Sequence, residues 1–478
     1  MIIREPVDVV TPVKTGAQSN VLGPGFRRDD VNVSAAARNG CKVCAPLGAS
    51  VVFRGIENGM ALLHGSQGCS TYIRRYMISH YKEPVDIASS NFAESATIFG
   101  GKSNLFLALD NLIEQYHPEL IGVASTCLSE TIGENVPGLL QEYRAQRELR
   151  ALPCIIPVST PSYSGTHMNG FHDSVRAVVD SLSLYPADPP AGVSLFPGFV
   201  SPADLRYLKE ILRDFGLPFT ILPDYSDTLD APAWDHYRLI SPGGTPIKDI
   251  QSMGGSIASI EFGRTLSGTN TAAQLLEERF GVKRHTLGLP IGITETDRFF
   301  ALLSAISGKP VPEKYTGERL RLVDSYFDAH KAVFGARVVV YGEEDLAIGL
   351  CALLAETGLQ PVLCASGGES GHLEEALLQA APACAGKTKV LEGVDFAEIS
   401  EEAEGLSVDL LIGNSKGYTI ARKLKAPLVR VGFPIHDRFG AQRQLHLGYR
   451  GAQALFDQIT NALIQARQDA SDIGYLYM

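Results

Sequence analysis

Short apolar runs separated by helical lengths constrain this chain most tightly. The runs ELIGVAS (119–125), PCIIPVS (153–159), GVSLFPG (192–198), ARVVVYG (336–342), PVLCAS (361–366), VDLLIGNS (408–415) and PLVRVGF (427–433) are rich in β-formers and closed by Gly, Ser or Asn. Strands that are apolar throughout, alternating with amphipathic stretches, are the pattern of parallel sheets flanked by helices. The clearest unit runs from Ala336 to Gly367. Its first strand is followed by EEDLAIGLCALLAETG, in which Leu346, Ile348, Leu350, Leu353 and Leu354 suit a buried helical face and Gly358 suits the stop. A second strand, LQPVLCAS, completes a βαβ unit. It lacks a G-x-G-x-x-G turn, so nothing there specifies a nucleotide.

A chain of 478 residues exceeds one core and divides into domains. The expected organisation is an N-terminal arm (1–39) rich in Gly, Pro, Asn and charge, then α/β domains at 40–188, 189–312 and 313–478, the last ending in a helix. The Pro-rich segments YPADPPAG (185–192) and ISGKPVPEKYTGE (306–318) are the expected linkers. A net charge of −11 argues against a nucleic-acid platform and fits an enzyme subunit. No apolar run is long enough to cross a bilayer, and MIIREPVDVV lacks the layout of a signal peptide, so the expected location is the cytoplasm. The eight cysteines then read as thiols or metal ligands rather than disulfides.

Three of those cysteines sit in small-residue turns: Cys44 in CKVCAPLGAS, Cys69 in HGSQGCSTY and Cys127 in ASTCLSETIG. Their separations of 25 and 58 residues are too wide for a zinc ribbon. Turns at strand and helix ends present backbone N–H groups to a bound sulfide, and Gly65 and Gly68 remove side chains that would hold the backbone off a bulky inorganic core. Thiolate is the usual ligand of iron in iron–sulfur clusters, which normally take at least four protein ligands. Three thiols leave the set incomplete.

The segments CAPLGAS, LLHGSQGCSTYIRRYMISHYKEP, ATIFGG, STCLSETIGE, STPSYSGTHMNGF, IGNSKG and VRVGFPIHDRFGAQRQLHLGYRGA, spread over roughly 40–460, resemble the β-type subunit of nitrogenases and nitrogenase-like reductases. The resemblance implies three Rossmann-like α/β domains. It also implies that Cys44, Cys69 and Cys127 supply the β half of a P-cluster, an eight-iron, seven-sulfur centre shared with an α-type subunit. That partner would complete the ligands and hold the iron–sulfur active-site cofactor, while an ATP-dependent Fe protein docks near Phe99 and two α/β pairs form an α2β2 tetramer. Ser162 matches a serine that ligates the oxidised cluster in some members; the other reading is a turn serine after Pro161. Phe99 also has a second reading, as a core aromatic.

GCSTYIRRYMISHYKEP departs from the GCVAYFR wording of molybdenum-type β subunits, and the lead before Cys44 is shorter. The resemblance is nearer to methylthio-alkane reductases, which cleave C–S bonds and release methanethiol. A dinitrogen-reducing β subunit and a NifN-like cofactor-assembly scaffold are the alternatives; scaffolds generally do not keep the complete cysteine set. A dark-operative pigment reductase fits poorly, because its β-type chain supplies few or no cysteine ligands. Among other residues, Cys41 reads as a free thiol beside Cys44, and Cys154, Cys351, Cys364 and Cys384 as core. His64 and His80 read as satisfied histidines near the site, and Glu83, Glu295 and Asp297 as solvated surface rather than ligands of an intersubunit cation. His436 and His446 lie in a β-type C-terminal motif and receive no cofactor role.

Overall fold

The computed structural model describes residues 41–147, 151–185, 191–234 and 236–472. The expected arm and residues 186–190 of the first linker lie outside the described residues. Strands fall into three sheets, and every strand pair described is parallel. In the first sheet β1 (Gly59–His64), β2 (Ile87–Ser89), β3 (Leu120–Ser125) and β4 (Cys154–Val158) are ordered β2-β1-β3-β4. In the second, β5 (Val193–Phe196), β6 (Phe219–Ile221), β7 (Ala258–Phe262) and β8 (Lys283–Leu287) are ordered β6-β5-β7-β8. The third contains β9 (Arg337–Gly342), β10 (Gln360–Ser366), β11 (Lys389–Leu391), β12 (Leu410–Gly413) and β13 (Leu428–Arg430), ordered β11-β10-β9-β12-β13.

The first sheet is flanked by α1 (Ala45–Arg54), α2 (Gln67–Tyr81), α3 (Glu94–Phe99), α4 (Lys102–Tyr116), α5 (Cys127–Thr131), α6 (Val136–Ala145) and α7 (His167–Leu182). Strands β1 and β3 are buried along their whole length because both faces are covered. Helix α1 is buried on every side. Its Phe53 lies flat over β3, where a Cβ on Gly122 would stand 2.2 Å from the ring. Truncating that fully buried ring to Ala would cost about 3–5 kcal/mol. Helices α1 and α7 touch backbone to backbone. A Cβ on Gly48 would fall 1.8 Å from the His167 carbonyl oxygen, and one on Gly170 would fall 2.0 Å from that of Ala45.

The second sheet carries α8 (Pro202–Asp214), α9 (Ile247–Gln251), α10 (Ala272–Phe280), α11 (Gly292–Ser307) and α12 (Glu313–Val333). The third carries α13 (Glu344–Glu356), α14 (Leu373–Ala380), α15 (Phe396–Glu404), α16 (Tyr418–Leu424) and α17 (Gly448–Ala470). Helix α13 buries Ala347 to Leu354 without a gap and leaves the expected Leu346 half-buried, and Gly358 follows it at φ +80° as the stop. The expected linker 306–318 is corrected. Residues 313–318 are the opening turns of α12, because Pro312 provides an extended entry (φ −57°, ψ 139°) rather than a break. Helix α17 packs along α11 and α12, with Tyr449 stacked on Phe300 at 5.2 Å between ring centroids. Among the described residues no helix is long and apolar enough to cross a membrane.

Candidate functional site

Cys44, Cys69 and Cys127 all stand at helix N-termini, where backbone N–H groups lack intrahelical partners. Cys44 is the extended N-cap of α1, and its carbonyl accepts the Leu47 N–H at 3.0 Å. Cys69 is the third residue of α2, behind an N-cap formed by Ser66, whose hydroxyl accepts the Gly68 N–H at 3.2 Å. Cys127 opens α5, after a capping box made by Thr126 and Ser129. Each of the three is half-buried. Burial pushes the Cys69 thiol up, with smaller contributions in the same direction from Cys44 and Cys127.

Ser162 joins two of these positions. Its hydroxyl accepts the Ala45 N–H at 3.1 Å, beside Cys44, while its own N–H donates to Cys127 Sγ at 3.2 Å. The loop that carries it is laced to the end of β3. Thr160 donates its hydroxyl to the Ser125 carbonyl at 2.6 Å and its N–H to the Ser125 hydroxyl at 2.9 Å. Glu130 takes hydrogen bonds from the hydroxyls of Ser159, at 2.6 Å, and Ser125.

Two glycines flank Cys69 and do different things. A Cβ on Gly68 would meet only the Ser66 hydroxyl, at 3.4 Å, so that side of the turn is open. A Cβ on Gly65 would lie 2.0 Å from Thr126 Oγ1. The expectation that Gly65 makes room for an inorganic core is thus corrected: it lets the Cys69 and Cys127 loops close on each other. Among the described residues no three His, Cys, Asp or Glu side chains converge on a single ion.

Phe99 is the last residue of α3 and is 86% exposed, next to an Ile98 that is 72% exposed, which removes the core reading of this aromatic. Cys41 does not join the three. It is buried against the third sheet, where Gly367 packs on its backbone, and burial aided by Glu343 pushes its thiol up to about 12. Cys351, Cys364 and Cys384 are buried, as a core reading requires, and Cys154 is partly buried against the core. His80 accepts the Ile435 N–H at 2.9 Å, and complete burial pushes it down to about 3, so it is neutral.

The surface reading of Glu295 is corrected. It is 3% exposed and grips the Arg264 guanidinium with both oxygens at 2.8 Å, with Arg298 also paired to it. Asp297 binds Arg319 at 2.9 Å and the Tyr449 hydroxyl at 2.5 Å, and Glu83 accepts the Ala231 N–H at 3.2 Å. His446 is buried on Asp204, whereas His436 is exposed. Sequence reading passed over Glu134. This buried carboxylate contacts His64, and nothing in its local wording beyond the preceding Gly133 marks it out.

A family model described as "Nitrogenase component 1 type Oxidoreductase" matches residues 44–464. The chain belongs to this family. It is 36% identical to the nitrogenase molybdenum-iron protein beta chain of Clostridium pasteurianum, over 91% of this chain and 95% of that one. It is 35% identical to the nitrogenase vanadium-iron protein beta chain of Trichormus variabilis, covering 88% and 92%. Identity to the nitrogenase iron-molybdenum cofactor biosynthesis protein NifN of Bradyrhizobium diazoefficiens is 34%, covering 92% of each. A solved structure titled "Nitrogenase Cp1 at pH 6.5" superposes with a TM-score of 0.88 at 33% identity, covering 92% of this chain and 96% of that one. The protein is therefore a β-type subunit of a nitrogenase-family oxidoreductase, with the three-sheet fold of that family. Overall identity is level across nitrogenase and biosynthetic relatives, so discrimination between them rests on site residues.

Proposed function

We propose that this chain is the β-type subunit of a cytoplasmic nitrogenase-like reductase complex of α2β2 form, and that Cys44, Cys69 and Cys127 hold half of a P-cluster shared with the α-type subunit. The observation that carries this reading is the set of three helix-N-terminal cysteines, two of them tied together through Ser162. The residues fit such a group: the thiols are soft ligands, and the turn at Gly68 is open. When bound, a cluster of this kind supplies one-electron relay between an ATP-dependent Fe protein and an iron–sulfur cofactor in the α-type subunit. The chain itself provides ligands and hydrogen bonds that tune the sulfurs, the Ser162 N–H to Cys127 foremost.

Ser162 serves in this reading as a further ligand of the oxidised cluster, which is supported by its hydroxyl bonding the residue after Cys44 and its N–H donating to Cys127 Sγ. Phe99 presents an exposed aromatic for the Fe protein. The complete cysteine set with Ser162 favours the reductase over an assembly scaffold. The departure of the α2 sequence GCSTYIRRYMISHYKEP from the molybdenum-type wording supports reductive C–S cleavage of methylthio-alkanes, with release of methanethiol, over dinitrogen reduction.

Two measurements test this. In the α/β complex, Cys69→Ala is expected to abolish the cluster EPR signal and the activity; full iron content with an unchanged signal sinks the ligand assignment. The native complex, given its Fe protein and ATP, is expected to form methanethiol from dimethyl sulfide. Ammonia from dinitrogen without methanethiol overturns the C–S reading, and transfer of its cofactor to an apo-enzyme without turnover identifies a scaffold.

A further inference from the structure

The Phe99 loop and two of the three cysteine loops meet on one carboxylate. Glu134 lies in the turn after α5, and its side chain is 8% exposed. Oε1 accepts the Gly101 N–H at 2.6 Å, and Oε2 lies 3.3 Å from His64 Nε2. His64 is fully buried, with Nδ1 3.1 Å from the Ser90 hydroxyl, and that hydroxyl accepts the Gly65 N–H at 2.9 Å. One assignment of protons satisfies these four bonds together. Gly101 N–H and His64 Nε2–H donate to the carboxylate, Ser90 O–H donates to Nδ1, and Gly65 N–H donates to Ser90.

Packing repeats the connection. A Cβ on Gly101 would stand 2.2 Å from the Phe92 ring and 3.1 Å from His64 Cε1, and one on Gly100 would stand 3.0 Å from Glu134 Oε1. Gly65 abuts Thr126, the residue before Cys127, and the Thr126 hydroxyl donates to the His64 carbonyl at 3.2 Å. Glu134 itself hangs from the Cys127 helix, its N–H donating to the Ser129 carbonyl at 3.0 Å.

We propose that Glu134 is a positioning residue that locks the Phe99 loop to the Cys69 and Cys127 loops, so that a partner pressing on Phe99 displaces the half-site. This rests on reading Phe99 as the docking point and the cysteines as cluster ligands. A buried carboxylate that accepts from two loops resists the departure of either donor, because the charge left behind would be short of partners. The coupling runs through contiguous bonds with no gap to bridge.

The test compares Glu134→Ala, Glu134→Gln, Phe99→Ala and the Phe99→Ala/Glu134→Ala double variant in the iron-loaded α/β complex. Amide exchange read by mass spectrometry is expected to quicken by about tenfold in both the 95–104 and the 64–70 peptides of Glu134→Ala, with Glu134→Gln intermediate because it keeps one acceptor. Phe99→Ala is expected to raise the KM for the Fe protein, and that rise is expected to shrink in the Glu134→Ala background. Faster exchange confined to residues 129–136, or KM effects that simply multiply, overturns the proposal. Should Glu134→Ala fail to accumulate, Glu134→Gln must show the same two-peptide pattern. If Phe99→Ala leaves that KM unchanged, the docking assignment falls, and the exchange pattern alone decides whether the lock exists.

Discussion

At the scale of single residues, the proposed half-site is more particular about its glycines and its serine than cysteine spacing alone suggests. Gly65→Ala, with its Cβ 2.0 Å from Thr126 Oγ1, is expected to pry apart the Cys69 and Cys127 loops and lower the iron bound per α/β pair. Gly68→Ala, which meets only the Ser66 hydroxyl at 3.4 Å, is expected to retain most of it; equal iron in the two variants would refute this. Ser162→Ala strips the Ala45 N–H of its acceptor, an expected loss of about 1 kcal/mol. If Ser162 also ligates, the midpoint potential of the oxidised couple shifts; an unshifted potential leaves it a turn serine. The cysteines were legible because thiols among small residues are rare and chemically loud. Glu134 was not, because its partners His64 and Gly101 are 70 and 33 residues away and only the fold brings them together. Glu295 was misread for the same reason: a carboxylate's burial depends on where its arginine comes from, and Arg264 lies 31 residues earlier.

Individual elements were legible where an apolar run is bounded by small residues, whereas β1, GMALLH, was missed although it is buried throughout. The apolar runs around β3, β4, β5, β9, β10, β12 and β13 contain those strands. Edge strand β8, KRHTL, carries Lys, Arg and His on a partly exposed edge, so no hydrophobic pattern marks it. Strand β7 hides a charge instead: Glu261 is 3% exposed, and its carboxylate accepts the hydroxyl of Thr271, the N-cap of α10, at 2.9 Å. Burial outweighs that bond and pushes Glu261 up to about 7. The folded state therefore holds this proton more tightly than the unfolded chain does. Stability from the group is full below its ordinary value of 4.5 and is lost as pH rises from there through about 7. Glu261→Gln is expected to raise unfolding stability by about 1–3 kcal/mol near pH 8, with the gain fading toward about pH 5. Denaturant midpoints measured across that range check the sign, and a gain that grows on acidification would contradict it. Asp204 behaves oppositely. Burial favours its protonated form, but His446 and the N–H groups of His446 and Leu447, at 2.8 and 3.0 Å, hold it below the usual carboxylate range.

At the scale of the molecule, the proposed sharing of a cluster with a second subunit implies a chain that is chemically unfinished by itself. Cys44, Cys69 and Cys127 are half-buried here, whereas Cys351, Cys364 and Cys384 are buried. Expressed alone, the chain is expected to take up a thiol-alkylating reagent at the first three and resist it at the second three. Assembly with the α-type subunit and iron is expected to protect all six, and identical labelling of Cys44, Cys69 and Cys127 with and without the partner would refute an interfacial site. The close seat of α1 on α7 also bears on synthesis at the ribosome. Cys44 is held in place through Ala45, Gly48 and their contacts with Ser162, His167 and Gly170, and the Ala45–Ser162 bond alone spans 117 residues. While the polypeptide is being made, the first thiol thus leaves the exit tunnel long before anything exists to hold it. Iron offered to the growing chain before α7 has emerged meets a Cys44 with nothing to seat it; offered afterwards, it meets one that α7 and the Ser162 loop can hold.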